Sequence, residues 1–404
     1  MSTQAAISYS ESSDSFQAGV QLATDARAKL PGKVDAVVMM STSKQDPKRL
    51  LAGVRSVLGE VPVYGGYAVG VITNDRLGYE GYQCGLAAFS FDHGARLEAF
   101  TEGGLAGNEH RVGARLAERM AARPGEGEQG LCLLYDSVRD KSVAGDWVLN
   151  VATPLLAGMS EKLGEWPPTV GVGLLGDMQF NPTYQWVGAE VAEQTALALR
   201  FSNVRLDYTI MHGCEPVGDY HTITKADYNV VLEIDGRPAL EVVAQMLGPG
   251  ADRPWEQYPL FVTLGLNRGD KYGDFNEADY ANRLVAGIDR ARGGLVMFEP
   301  DLVAGSEVQL MCRSVDFSYV ARRTEELLAR VADRHAFFAL YIDCAGRASA
   351  YCGSDGEEAE EVRRVIGQRI PLLGAYSGVE IAKVGAEVRP LDWTGVLCVL
   401  SQPA

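Results

Sequence analysis

The residues of this chain best suited to chemistry gather in its C-terminal part. Cys344 directly follows Asp343, Arg347 stands three residues on, and Tyr376, Gly378 and Glu380 come after. An arginine fork holds a carboxylate through two parallel N–H···O bonds, and a glutamate receives an ammonium group. Arg347 with Glu380 would therefore suit a zwitterionic ligand such as an amino acid. The plainer alternative is an internal Arg–Glu pair that holds the turn. Upstream, His212 and Cys214 stand two residues apart and would face one side of a strand, with His221 nearby. Imidazole and thiolate are both haem-iron ligands. Yet a histidine in a Gly/Pro-rich stretch equally serves a local hydrogen bond, and no Cys-x-x-Cys-His attachment motif is present. An enzyme would need Cys344 as nucleophile with His212 as base, or Asp136 and Asp343 as paired carboxylates. Spacing supplies none of the geometry such catalysis requires, and a cysteine after a buried strand more often packs.

These groups depend on a phrase that the chain writes three times: an apolar run, a helix, a glycine stop, then Pro-x-x-Gly with further glycine. The copies are Gly59, Pro62, Gly65, Gly66, Tyr67 and Gly70; Gly164, Pro168, Gly171, Gly173 and Gly176; and Gly367, Pro371, Gly374, Tyr376 and Gly378. Each reads as a strand-helix-strand unit, with glycine-rich turns at the ends of buried strands. Such turns bring main-chain N–H groups close to a ligand, or they simply turn the chain. If the three meet, Gly65, Gly66 and Tyr67 join Cys344, Arg347, Tyr376, Gly378 and Glu380 around one crevice. Strand-end crevices are where open α/β sheets bind ligands. No Gly-x-Gly-x-x-Gly that opens a helix and no Gly-Lys-Ser/Thr phosphate loop occurs.

The elements follow from local signals. The segment up to Tyr9 is expected to be loose, and Ser13–Lys29 to be a helix stopped by Pro31 and Gly32. Val34–Met40 reads as a strand buried on both faces. Asp46 and Pro47 open a helix carrying Leu50, Leu51, Val54 and Val57 at helical period. The second copy runs from a strand at Leu131–Tyr135 through a helix within Ala144–Leu163. The third runs from Phe337–Ile342 through a helix capped by Ser354 or Asp355 to a last strand at Gly395–Leu400. Between them, Val204–Ile210, Thr222–Thr224 and Asn229–Ile234 read as an antiparallel insertion around residues 204–234, with Asp235-Gly236 as a tight turn. The Gly/Pro-rich bridge Gly248–Pro254 marks a domain boundary at or shortly before it.

Bulk composition narrows the function classes. A chain of 404 residues with 47% hydrophobic and 22% charged residues is an ordinary globular sequence. Its net charge of −16, spread along the chain, argues against nucleic acid or anionic membrane as a partner. The absence of a long apolar run and the polar N-terminal segment predict a cytoplasmic protein without membrane insertion. Seven singly scattered cysteines support neither a zinc site nor a disulfide framework.

Several separated phrases, in order, resemble the FIST domain. They are His212-Gly213-Cys214-Glu215-Pro216-Val217-Gly218, Thr222-Ile223-Thr224-Lys225-Ala226, Leu232 to Ala239, Tyr258-Pro259-Leu260, Asp301 to Met311, Cys344-Ala345-Gly346-Arg347, the acidic pair Glu357-Glu358, and Gly374 to Ile381. The resemblance implies an N-terminal FIST part over 1–240 and a C-terminal part over 241–404, in a bacterial sensory module. Proposed ligands of that family are small molecules such as amino acids. Some members bind haem, sense nitric oxide and regulate a histidine kinase. The expected fold is mixed α/β, with duplicated strand-helix-strand units forming two related halves around the antiparallel insertion. The expected function is small-ligand sensing with signal passed to a separate partner such as a histidine kinase. The alternatives are a haem sensor using His212, Cys214 or His221, and an enzyme.

Overall fold

The computed structural model describes residues 2–139, 149–247, 262–314 and 316–404. The Gly248–Pro254 bridge, Tyr258-Pro259-Leu260 and the start of the helix expected from Ala144 lie outside them. The fold is mixed α/β, and the phrase repeated in the sequence becomes three units of one plan: strand, helix, strand, helix, strand, hairpin, strand. The first is β1 (Gln4–Ser10), α1 (Ser15–Lys29), β2 (Ala36–Ser41), α2 (Pro47–Leu58), β3 (Val63–Tyr67), the hairpin β4 (Gly70–Thr73) with β5 (Leu77–Tyr79), and β6 (Cys84–Ser90). The second is β7 (Arg96–Gly103), α3 (Glu109–Ala121), β8 (Gln129–Asp136), α4 (Ala152–Leu163), β9 (Thr169–Leu174), the hairpin β10 (Gln185–Gly188) with β11 (Glu190–Ala192), and β12 (Thr195–Ser202).

The third unit opens with β13 (Arg205–Met211) and is then interrupted by an inserted sheet. The insert comprises β14 (Cys214–Asp227), β15 (Val230–Ile234), β16 (Arg237–Pro238), α5 (Ala239–Leu247), β17 (Thr263–Asn267), β18 (Tyr280–Asp289), β19 (Gly294–Met297) and β20 (Glu307–Arg313). The unit resumes with α6 (Ser318–Arg330), β21 (Arg334–Cys344), the short α7 (Ser349–Cys352), α8 (Glu358–Ile366), β22 (Leu372–Ser377), the hairpin β23 (Val379–Val384) with β24 (Glu387–Leu391), and β25 (Gly395–Pro403).

Local sequence accounts for these elements. In α2 the Asp46 carboxylate accepts from Arg49 N at 2.8 Å, Pro47 occupies the first turn, and Leu50, Leu51 and Val54 are buried at helical spacing. Each such apolar side chain withdrawn from water contributes roughly 2 kcal/mol. The second and third strands of each unit pair in parallel, with Met39 opposite Gly65, Leu133 opposite Gly171 and Tyr341 opposite Gly374.

Three six-stranded sheets result, in the orders β1-β6-β2-β3-β10-β11, β7-β12-β8-β9-β23-β24 and β13-β25-β21-β22-β4-β5. Each sheet is completed by the hairpin of another unit. The hairpin of unit one joins unit three where Gly70 faces Tyr376. That of unit two joins unit one where Trp186 faces Gly65, and that of unit three joins unit two where Glu380 faces Val172. The exchange closes a ring. Its inner faces share one apolar core containing Val38, Phe89, Leu134, Leu199, Leu340 and Leu400, and helices cover the outer faces.

Four expectations change. The opening segment is a paired strand, because every residue from Gln4 to Ser10 finds a partner between Ser90 and Cys84. The glycine-rich segments are strands, not turns. A Cβ on the Pro-x-x-Gly glycine would meet the carbonyl oxygen of its parallel neighbour, 1.9 Å from Met39 O at Gly65 and 2.7 Å from Leu133 O and Tyr341 O at Gly171 and Gly374. The insertion is larger and later than expected. Val204–Ile210 corresponds to the first strand of unit three, and the antiparallel insert runs from β14 to β20 as a seven-stranded sheet. Finally, α8 is preceded by Glu357 rather than Ser354 or Asp355, and no side chain caps it.

Candidate functional site

The three strand ends meet through main-chain hydrogen bonds that run between units. Ser43 N donates to Gly176 O at 3.2 Å, Val69 N to Tyr376 O at 3.0 Å, and Gly378 N to Gly173 O at 2.9 Å. Each unit touches the next at the point where its hairpin departs. Gly378 leaves no room for a side chain there, since a Cβ would lie 2.8 Å from Ser137 Oγ. Tyr67 belongs to the same convergence. It is buried, its hydroxyl donates to Gln45 O at 2.5 Å, and its ring meets Tyr184 and Trp186 edge-on.

Unit three adds charge. Arg347 is 1% exposed, with its Nε 3.0 Å from Asp343 Oδ1. Its Nη1 donates to Trp393 O at 2.9 Å and His212 O at 3.3 Å, and its Nη2 bonds Tyr319 Oη at 3.0 Å and pairs with Glu358. Arg313, from β20 of the insert, pairs with the other oxygen of Glu358. One buried guanidinium thus serves two carboxylates, and their titration separates. Burial pushes Glu358 up, but Arg347 and Arg313 together hold it below the usual range. Asp343 is pushed up to about 7 by burial despite Arg347. The acidic partner of Arg347 is therefore Glu358 with Asp343. The neighbouring Glu357 takes the hydroxyls of Tyr376 at 2.7 Å and Tyr79 at 2.8 Å.

Glu380 lies apart from that pair. Fully buried, it accepts from Ser377 Oγ at 2.8 Å and Thr394 N at 3.3 Å, and burial raises its carboxyl far above the ordinary value. Cys344 is held by its main chain to Thr394 O at 3.1 Å, and burial likewise drives its thiol well up, away from thiolate. Facing this turn, Tyr280 and Leu284 of the insert pack with Cys214, Met311 and Trp393. Asn282 lies between them on the same face of β18. Asn282 is fully buried, and neither its amide oxygen nor its amide nitrogen has a hydrogen-bond partner. The hydroxyl of Tyr135, at the end of β8, is also buried without a partner. Orphaned buried amide and hydroxyl groups are costly unless something satisfies them.

His212 has both ring nitrogens engaged: Nδ1 accepts from Cys214 N at 3.0 Å, and Nε2 faces Glu277 O at 3.0 Å. Burial lowers its pKa, which keeps the ring neutral. It offers no free nitrogen to an iron and none to take a proton from Cys344. Cys214 donates to His212 O at 3.4 Å, and burial pushes its thiol up to about 12. The His212–Cys214 pair does not fit a haem iron. His221, on β14, holds Asp235 Oδ2 at 2.7 Å through Nδ1, and its other ring nitrogen has no hydrogen-bond partner among the described residues. Asp136 and Asp343 each have their own partners, since Asp136 accepts from Gln185 Nε2 at 2.9 Å and Thr195 N at 3.3 Å.

Burial also pushes Asp136 and Glu299 up to about 7, and Asp392 to about 6. An unfolded chain titrates such groups near pH 4. Between about pH 4 and 7 the folded chain therefore holds protons that the unfolded chain has lost, and stability falls as pH rises through that window. His212 acts in the opposite sense below about pH 6.5, one group against five once Asp343 and Glu380 are included. Urea unfolding is expected to give a lower free energy at about pH 8 than at about pH 5.5. A flat or rising profile would show that these carboxyls stay ionised in the fold.

Sequence reasoning missed Asn282, Arg313, Tyr319, Trp393 and Asp392. Only Glu357-Glu358 carried a signal, as an adjacent acidic pair at the start of a helix.

The FIST N domain matches residues 35–237 and the FIST C domain residues 239–383. The chain is 24% identical over 210 residues to the uncharacterized protein MJ1623 of Methanocaldococcus jannaschii, which covers 50% of this chain and 40% of that protein. It is 25% identical over 221 residues to the uncharacterized protein Mb0898c of Mycobacterium bovis, covering 54% and 57%. The chain thus spans about half the length of the curated relatives it matches. Among solved structures, a cyanuric acid hydrolase from A. caulinodans aligns over 100% of both chains at a TM-score of 0.38 with 8% identity, too distant to carry any inference. No helix among the described residues is long and apolar enough to cross a membrane. With both domain types spanning most of its length, the chain belongs to the FIST family, which is associated with small-ligand binding in sensory signalling.

Proposed function

We propose that this chain is a cytoplasmic sensor that binds an amino acid or a metabolite of similar size and polarity where β18 of the insert faces the Cys344–Arg347 turn. The reading rests chiefly on Asn282, whose amide is fully buried with neither end partnered. Its main-chain oxygen accepts from Asp392 N at 3.4 Å, next to Trp393, and this reading takes the Cys344 turn and Glu380 into the site, with Gly65, Gly66, Tyr67, Tyr376 and Gly378 at the strand ends. Arg347 is committed to Asp343 and Glu358, so in this reading it positions the turn and the ligand meets amide and neutral carboxyl groups. The Arg347–Glu358–Arg313 link joins the turn to the insert, which gives ligand occupancy a route to a partner protein such as a histidine kinase. Haem sensing of nitric oxide has no comparable support, because it would rest on His221 alone.

A thermal-shift screen of amino acids and small amides tests the reading. A ligand is expected to raise the melting temperature of the wild type, and Asn282→Leu to abolish that shift while melting within a few degrees of the wild type unliganded. A ligand response that survives Asn282→Leu would place the site elsewhere.

A further inference from the structure

A groove of about 680 Å3 opens where α4, the β24 strand and the insert meet, lined by Thr153, Ser160, Arg268, Asp301, Arg389 and the Val303–Ser306 loop, with Glu387 at its rim. Two arginines and two carboxylates line it, and Arg283 behind Asp301 brings the arginines to three. Asp301 is taken by Arg283, through contacts of 2.6 and 2.5 Å, and by Arg389 Nη1 at 3.3 Å. Glu387 pairs with Arg389 and is 64% exposed. The Arg268 guanidinium has no hydrogen-bond or ion-pair partner among the described residues. Partial burial disfavours its charge and the neighbouring Arg389 adds repulsion, so its pKa is lowered. A further polar atom nearby, Arg389 Nε, is buried without a hydrogen-bond partner among the described residues. An arriving anion would relieve the repulsion and could meet these donors, since arginine forks match carboxylate and phosphate oxygens.

We propose that this groove binds a small multiply charged oxyanion, a phosphate-bearing or polycarboxylate metabolite, through Arg268 and Arg389. The site shares no residue with the Asn282 site, and either can fail without the other. Its walls come from unit two, the unit-three hairpin and the insert, so an occupant would fasten the insert to the ring. In a chain of net charge −16, selectivity for anions must come from this local excess of arginine.

Calorimetric titration with inorganic phosphate and with citrate, at constant ionic strength and with chloride as control, tests the assignment. At least one is expected to bind, and which is preferred separates the phosphate from the polycarboxylate source. Arg268→Ala should weaken binding by about tenfold or more, as for loss of a charged hydrogen bond. Arg268→Lys should weaken it less, and Glu387→Gln should tighten it. Arg268 is exposed, so the alanine variant should keep the wild-type melting temperature. Binding of neither anion, or unchanged affinity in Arg268→Ala, would overturn the proposal.

Discussion

Arg347→Ala is expected to lose about 3–5 kcal/mol of unfolding free energy, as for other buried ion pairs stripped of one member. The guanidinium is fully buried and bonds five groups: Asp343 near the end of β21, Glu358 on α8, Tyr319 on α6, and the main chain at His212 and at Trp393. Its removal leaves Asp343 without a cation and leaves two carbonyls and a phenol short of a donor. Arg313 still neutralises one oxygen of Glu358, which keeps the loss from being larger. Arg347→Lys preserves the charge but cannot span five partners, and should fall between. Urea unfolding of the two variants checks this. A midpoint for Arg347→Ala within error of the wild type would mean that the network adds nothing net. Because the loss would be global, failed ligand binding in this variant says little about contact with ligand, and Asn282→Leu is the cleaner probe.

What the sequence disclosed, and what it hid, divides by range. Val34–Met40, the Asp46-Pro47 cap and the helical spacing of Leu50, Leu51 and Val54 are local signals, and the strand-helix-strand units were legible from them. The convergence of three strand ends was suspected from the repeated phrase, but its cause is non-local. Each hairpin leaves its own sheet to complete another, and nothing in Gly70–Tyr79 announces a partner at Tyr376. β1 was hidden because Ala5, Ala6 and Ser8 are small or polar residues that resemble a loose segment until β6 pairs with them. The same limit governs the site. Cys344, Arg347 and Glu380 stood out by residue type, whereas Arg347 finds its partner Glu358 on α8, which Arg313 of the insert shares. Asn282 sits in Tyr-Ala-Asn-Arg-Leu-Val, which reads as an ordinary strand. Only burial without a partner marks it out.

Gly65→Ala should be as damaging as loss of Arg347, for a reason that lies in the backbone alone. Gly65 has φ +126°, and a Cβ there would fall 1.9 Å from Met39 O on the parallel neighbour. Left-handed strain and overpacking each cost roughly 1–3 kcal/mol, so the substitution is expected to cost about 3–5 kcal/mol or to shift β3 away from β2. Gly59 separates the two effects. Its φ is +73° at the end of α2, and nothing lies within 4 Å of its Cβ position, so Gly59→Ala carries backbone strain without a clash. It should cost about 1–3 kcal/mol. A Gly65→Ala no worse than Gly59→Ala in urea unfolding would mean that β3 can yield. A severe loss would tie the repeated Pro-x-x-Gly to the close parallel pairing that carries Tyr67, Ala68 and Val69 into the three-way junction. The glycine would then act on the site by setting where the strand ends meet.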